Sequence, residues 1–161
     1  MKRVLFAALL AAAATGLLTV PLAAGAQAPA AKVRTAKAAE RASAIASVQG
    51  QLKAFNRNDY KAAITYQSAG LRRNFTSPAQ FAAMIMQAYP QFAHSKSAVF
   101  GPAQCDLTGS HMTLPATVTG KDGVTVRALY LLVREGKAYH VEGVGGGMRV
   151  LPQRDTPDAD I

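Results

Sequence analysis

The sequence predicts an α+β fold in which three helices come first and pack on a curved, mostly antiparallel, four-stranded sheet. Up to about residue 95 the apolar residues recur at helical spacing, and from Lys96 onward they alternate with polar residues. Helices that are segregated before the strands are typical of α+β domains. We assign residues 37–151 to this single domain.

Two helices are expected before residue 68. The first covers about residues 37–57, because one apolar stripe runs along it. The stripe consists of Ile45, Val48, Leu52 and Phe55. The second helix covers about residues 60–67, and Asp59 supplies the short side chain that caps free amides in a first helical turn.

The third helix has the clearest start signal. Ser77 stands at the N-cap, Pro78 at the first helical position, and Gln80 completes a capping box. Pro90 predicts the end or a kink of this helix, since a proline disfavours helical backbone in the residue before it.

Four strands follow. They are expected at about residues 97–107, 112–119, 124–134 and 137–144. Gly101 and Pro102 interrupt the first strand, and Pro115 predicts an edge position or a bulge for the second. Turns at residues 120–123 and 135–136 join the last three strands into a meander, and residues 145–147, all glycine, are expected to form a loop.

The N-terminal segment is typical of a cleavable bacterial secretory signal, which we assign to residues 1–26. Lys2 and Arg3 precede an apolar run of 17 residues, and a small-residue cleavage site ends at Ala26. The run is shorter than the ~20 residues of a membrane-spanning helix. We therefore expect a periplasmic or secreted protein without a transmembrane segment after cleavage. Residues 27–36 are expected to be a flexible tether and residues 152–161 a disordered tail.

Charge is uneven along the chain. The net charge is +9, and residues 27–73 contain nine basic and two acidic residues, whereas the later part is balanced. One interpretation is a surface that binds anionic envelope components; its candidate residues are Lys53, Arg57, Lys61, Arg72 and Arg73. The other is a solvated surface that aids solubility. Export and the lack of a recognition motif argue against nucleic acid as a partner.

The sequence contains little that indicates a metal site, a cofactor site or a disulfide bond. Cys105 is the only cysteine, so no intrachain disulfide can form. The three histidines lack metal-ligand spacing, and no nucleotide or cofactor motif is present. Asp106 and His111 flank one turn and are the only weak catalytic candidates; they are either an acid–base pair of an isomerase or lyase, or unrelated turn residues.

A family resemblance rests on residues between Val48 and Val144. They are Gln51-Leu52-Lys53-Ala54-Phe55, Asp59, Ala62-Ala63, Tyr66, Gly70, Phe75, Pro78, Phe81, Met84, Tyr89-Pro90 and Gly136-Lys137-Ala138-Tyr139-His140-Val141. The chain resembles the bacterial family called domain of unknown function 4864, with a nuclear transport factor 2-like cone. The resemblance implies a domain that is often dimeric, with a pocket between helices and sheet, and implies no particular reaction. Tyr139 stands where such folds often carry tryptophan, and its hydroxyl needs a partner.

The predicted function is non-catalytic binding of a small apolar ligand or of a protein partner. The ligand-binding candidates are Tyr66, Phe81, Met84, Tyr89 and Tyr130, an aromatic and methionine set that is alternatively plain core. Leu129, Leu131 and Val133 alternate with a core set on the same strand, so both its faces are apolar. A homodimer through the second face is a candidate assembly.

Overall fold

The computed structural model describes residues 32–150, so the predicted signal (1–26), part of the tether (27–31) and the tail (152–161) lie outside the described residues. The helices are α1 Ala38–Asn56, α2 Tyr60–Thr65, α3 Ala69–Arg72, α4 Pro78–Ala88 and α5 Pro90–Ala93. The strands are β1 Val33–Thr35, β2 Ser95–Phe100, β3 Gln104–Asp106, β4 His111–Gly120, β5 Thr125–Glu135 and β6 Ala138–Val150. The α+β class and the mostly antiparallel sheet are confirmed. The predicted counts of three helices and four strands are wrong, since this range contains five and six.

The predicted helix starts follow from side-chain caps. Asp59 accepts a hydrogen bond from the Ala62 amide at 2.9 Å, and Ser77 accepts one from the Gln80 amide at 3.2 Å. In a capping box, the Gln80 side chain would accept from the amide of the N-cap residue, Ser77. Here its Oε1 accepts from the amide of the preceding residue, Thr76. The two additional helices, α3 and α5, are single turns, and Pro90 separates α5 from α4.

The strand expected over residues 97–107 is two strands, β2 and β3, and both pair with β4. Pro115 therefore lies in a central strand, and the predicted edge position is wrong. The alternative of a bulge agrees with the register, since residues 101–103 stand opposite only Leu114 and Pro115 of β4. The Pro115 carbonyl accepts from the Gly101 amide. The proline nitrogen, which carries no hydrogen, faces the same side of the strand, toward the break between β2 and β3. The proline is tolerated because the Gly101 carbonyl accepts from the Arg41 guanidinium, so the missing N–H leaves no acceptor of Gly101 unsatisfied.

Two further corrections concern the ends of the domain. The glycines at 145–147 belong to β6, where Gly145 pairs with Leu129, instead of forming a loop. The tether prediction is wrong for Val33–Thr35, which pairs with β3 as an edge strand. Both segments gain their order from pairing with distant strands, which a local sequence pattern does not reveal.

The inner face of the sheet forms the core with the helices. Val126, Ala128, Tyr130 and Leu132 are buried on β5, as predicted, while Leu129 and Leu131 on the opposite face are 39% and 42% exposed. Helix α1 packs against β6. Among the described residues, no helix is long and apolar enough to cross a membrane.

An ion pair fastens β1 to the first turn of α1. Both Nη atoms of Arg34 donate to the Glu40 carboxylate at 2.8 Å, and the Lys37 amide donates to it as well. The hydrogen bonds from Arg34, followed by the one from Lys37, lower the pKa of Glu40 from 4.5 to about 2. The ionised carboxylate therefore stabilises the folded state.

We expect Glu40→Gln to be less stable than the wild type at neutral pH. The difference should shrink as the pH falls from 4.5 toward about 2, because a carboxyl group whose pKa is depressed by folding loses its contribution on protonation. Urea unfolding of both proteins across this range measures the difference. Glu142→Gln, which removes an exposed carboxylate, is the control. A difference between wild type and Glu40→Gln that is independent of pH would contradict this account.

Candidate ligand cavity

A cavity of about 190 Å³ lies between the helices and the inner face of the sheet. Residues from α1, α4, α5, β5, β6 and the segment 67–75 line it. Most of these residues are apolar, and five are aromatic: Phe75, Phe81, Tyr89, Phe92 and Tyr130. A concave apolar lining with few polar groups is the usual chemistry of a small-molecule site.

Helix α4 builds one wall of the cavity. Phe81, Met84 and Ile85 lie three and four residues apart, so they share the face that lines the cavity. The Ser77 cap and Pro78 fix where this helix begins and thereby which face it presents. Phe81 also packs edge-on against Phe75, with ring centroids 5.0 Å apart.

A second aromatic row joins the helices to the sheet. The rings of Tyr89 and Phe92 are 5.6 Å apart, and those of Phe92 and Tyr130 are 6.0 Å apart. The break at Pro90 separates Tyr89 from the end of α4 and starts α5, which carries Phe92. Contacts between aromatic rings at such distances hold the wall in a defined shape.

Two buried polar atoms in the cavity lining lack a hydrogen-bond partner within residues 32–150. They are Gln67 Oε1 and the Tyr130 hydroxyl, on side chains that are 1% and 0% exposed. Burial raises the pKa of Tyr130, which keeps its proton. An unsatisfied buried polar group costs about 1–3 kcal/mol, so each such group in a folded protein needs an explanation. Asn56, Tyr60 and His140 also have such an atom, but they lie outside the cavity lining.

Four of the five predicted ligand-binding residues line this cavity: Phe81, Met84, Tyr89 and Tyr130. Tyr66 lies outside the lining. Its ring lies against α1 at Gly50, where a Cβ atom would overlap the ring. Only glycine at position 50 leaves room for the Tyr66 ring.

Sequence reasoning missed Gln67, which the structure places in the lining. The residue follows α2 and carries a polar side chain, a combination that favours exposure. Its burial comes from the sheet: the Ser68 amide donates to the Val141 carbonyl, and the Val141 amide donates to the Tyr66 carbonyl. This parallel bridge to β6 draws Gln67 into the interior.

The two catalytic candidates meet, but away from the cavity. His111 Nδ1 and Asp106 Oδ2 are 3.1 Å apart at a turn, with side chains 72% and 32% exposed. Burial of the Asp106 carboxyl opposes ionisation, yet hydrogen bonds from His111, Thr108 and Ser110 keep its pKa well below its ordinary value. The contact between Asp106 and His111 thus stabilises the turn that joins these two residues. No group of three or more His, Cys, Asp or Glu residues suited to a metal occurs within the described range.

Tyr139, on β6, is a second buried tyrosine, and its hydroxyl forms a hydrogen bond. The hydroxyl donates to the Gly109 carbonyl at 2.6 Å. Burial, followed by the neighbouring Cys105, raises the pKa of Tyr139 to about 12. Burial also raises the pKa of the Cys105 thiol. Tyr139 therefore acts as a fully satisfied core residue, in contrast to Tyr130.

A comparison with protein families gives one match. The family model described as Domain of unknown function (DUF4864) matches residues 37–151. These residues include every element from α1 to β6 and all the residues that line the cavity. Comparison with curated proteins and with solved structures gives no significant match.

The two buried tyrosines should respond oppositely to loss of the hydroxyl. In the ligand-free protein, Tyr130→Phe should raise the free energy of unfolding by about 1–3 kcal/mol, because it removes an unsatisfied buried group. Tyr139→Phe should lower that free energy by about 1 kcal/mol, because it removes a hydrogen bond and leaves the Gly109 carbonyl unpaired. Urea unfolding of both variants checks this. Destabilisation of both to the same extent would show that Tyr130 is satisfied in the folded protein.

Proposed function

The chain belongs to the family Domain of unknown function (DUF4864), whose description assigns no activity, and we propose from the cavity that this domain binds a small, mostly apolar ligand without catalysing a reaction. The observation that carries the proposal is a concave cavity between the helices and the sheet, walled mostly by aromatic and other apolar side chains. A concave apolar lining with few polar groups is the usual chemistry of a small-molecule site. A close-packed core leaves few voids larger than a water molecule.

The cavity volume accommodates a single ring or a short chain. An engineered apolar cavity of about 150 Å³ binds benzene, and this cavity measures about 190 Å³. A ligand slightly larger than benzene fits that volume. The aromatic rings of Phe75, Phe81 and Phe92 favour an aromatic or branched apolar body, because such rings stack against one another.

Binding is favoured over the isomerase or lyase alternative by the chemistry of the lining. Among the described residues of the lining there is no carboxylate, imidazole or amine to move a proton. Asp106 and His111 lie outside this lining, in a separate surface concavity of about 310 Å³ that exposed Leu131 and Glu142 also line. An acid–base mechanism needs its groups within hydrogen-bond reach of the substrate.

Filling the cavity from α4 should weaken ligand binding. Ethylbenzene is the probe, and two-dimensional amide NMR of the mature protein measures its dissociation constant. Met84→Trp places a larger ring into the lining and should weaken binding at least ~10-fold, equivalent to about 1.4 kcal/mol. Met86→Trp is the matched control: it is the same substitution on the same helix, at a side chain that is 52% exposed.

The Met86→Trp protein should bind ethylbenzene as the wild type does. Amide spectra with native dispersion show that each variant is folded. The proposal fails if the wild type does not bind ethylbenzene, or if folded Met84→Trp binds it with unchanged affinity.

Self-association through the outer sheet face stays a prediction. Leu129 and Leu131 are exposed there, and their partners on β6, Gly145 and Gly143, carry no side chains that would cover them. We expect a dimer in sedimentation velocity and a monomer for Leu131→Asp. A monomeric wild type at high concentration would contradict this prediction.

Export and the nuclear transport factor 2-like arrangement also stay proposals. The signal-like residues 1–26 support export, and cleavage after Ala26 would leave Gln27 at the N-terminus. Intact mass of the protein recovered from the bacterial envelope checks this; a full-length mass would contradict it.

A further inference from the structure

We propose that the acidic segment after β6, residues 152–161, binds through Asp158 and Asp160 in a basic groove between α1 and β2 of the same chain. The groove shares no residue with the lining of the candidate ligand cavity, so this inference goes beyond the proposed function and does not depend on it. Its evidence is the charge of the groove, the place where β6 ends and the length of chain that follows.

The basic groove is a surface concavity of about 170 Å³. Residues 49–56 of α1 form one wall and residues 95–98 of β2 form the other. Asn56 Nδ2 donates to the Ser95 carbonyl at 2.8 Å, and this hydrogen bond holds the two walls together. Strand β2 pairs only with β4 among the described strands, so its other edge borders the groove.

Lys53 and Lys96 give the groove its charge. Both are exposed, and the groove lining includes no Asp or Glu among the described residues. Within residues 32–150 the ion pairs are Arg34–Glu40 and His111–Asp106, so neither lysine pairs with a carboxylate in this range. Two like charges that border one concavity produce a positive potential that attracts anions.

Strand β6 ends at the same end of the sheet as the groove. Val150 stands opposite Thr125 of β5, and Thr125 stands opposite Thr119 of β4. Thr119 in turn pairs with Ser97 of β2, the residue after Lys96. Three spacings between strands of about 4.8 Å, roughly 14 Å in all, therefore separate the end of β6 from β2.

The chain that follows β6 is long enough to reach the groove. At up to about 3.6 Å per extended residue, Asp158 reaches about 29 Å from Val150 and Asp160 about 36 Å. Both lengths exceed the separation along the sheet and leave enough chain to pass around the turn at residues 120–123. Asp155 reaches only about 18 Å, so the two later aspartates are the ones that bind.

The acidic segment has the charge that complements the groove. Residues 152–161 contain three aspartates and one arginine, whereas residues 27–73 contain nine basic and two acidic residues. Asp158 and Asp160 are two residues apart, so an extended backbone presents both to the same side. Each exposed ion pair is weak, but attachment to the same chain gives the segment an effective concentration in the millimolar range.

Paramagnetic relaxation in the mature protein tests the contact. A spin label on Thr156→Cys should broaden the amide signals of Lys53 and Lys96, and not that of Lys137 at the opposite end of the sheet. We expect this at about 10 mM salt and expect its loss at about 1 M salt, where charges are screened within about 3 Å. Wild-type protein treated with the same reagent controls for Cys105, which is buried.

Matched charge variants identify the two sides of the contact. Lys96→Glu should abolish the broadening at Lys53, because it replaces an attraction by a repulsion. Lys137→Glu is the control, since it is the same substitution at another exposed lysine, and it should leave the broadening unchanged. On the acidic segment, Asp158→Asn combined with Asp160→Asn should also abolish the broadening, whereas Asp155→Asn should not.

The outcomes also identify the occupant of the groove. No broadening at low salt, or broadening that persists at high salt or in folded Lys96→Glu, would overturn the proposal. Broadening of an isotope-labelled protein by a separate spin-labelled copy would assign the groove to a second copy and overturn the contact within one chain. Ethylbenzene binding enters none of these results, so the proposed function is tested separately.

Discussion

The parallel bridge between the chain after α2 and strand β6 is the contact on which the cavity depends. Two backbone hydrogen bonds, from Ser68 to Val141 and from Val141 to Tyr66, fix this segment against the sheet. They place a glutamine in the interior, where a helix C-terminus would otherwise face water. They also set where the chain enters α3 and α4, whose side chains form the opposite wall. Moving this bridge would change the shape of the cavity and the position of Gln67 together.

Tyr130 and Tyr139 differ in how their buried hydroxyl groups are satisfied. Both tyrosines are almost fully buried and lie on neighbouring strands. The Tyr139 hydroxyl donates to the Gly109 carbonyl close to the Arg34–Glu40 pair, whereas the Tyr130 hydroxyl has no partner among residues 32–150. A buried polar group without a partner costs stability, so the two hydroxyls contribute to folding with opposite sign.

Features that depend on neighbouring residues could be predicted from the sequence, whereas features that depend on pairing with distant strands could not. The caps at Asp59 and Ser77 and the alternation along β5 act over a few residues, so the corresponding helix starts and the buried face were predictable. Strand β1, the extension of β6 through residues 145–147 and the burial of Gln67 each depend on a partner far along the chain. The aromatic part of the cavity was accessible to sequence reasoning because large apolar residues are usually buried. The burial of Gln67 in the lining was not, because a glutamine after a helix ordinarily lies at the surface.

Native mass spectrometry of the mature protein, purified gently from its own host, tests the central claim most directly. The account predicts a reproducible non-covalent adduct of one small neutral molecule, which is lost on denaturation and absent from the Met84→Trp protein. Fragmentation of the released molecule should reveal an apolar ring or chain. A protein that carries only its own polypeptide mass, or an adduct that persists unchanged in folded Met84→Trp, would contradict the claim that this cavity is a ligand site.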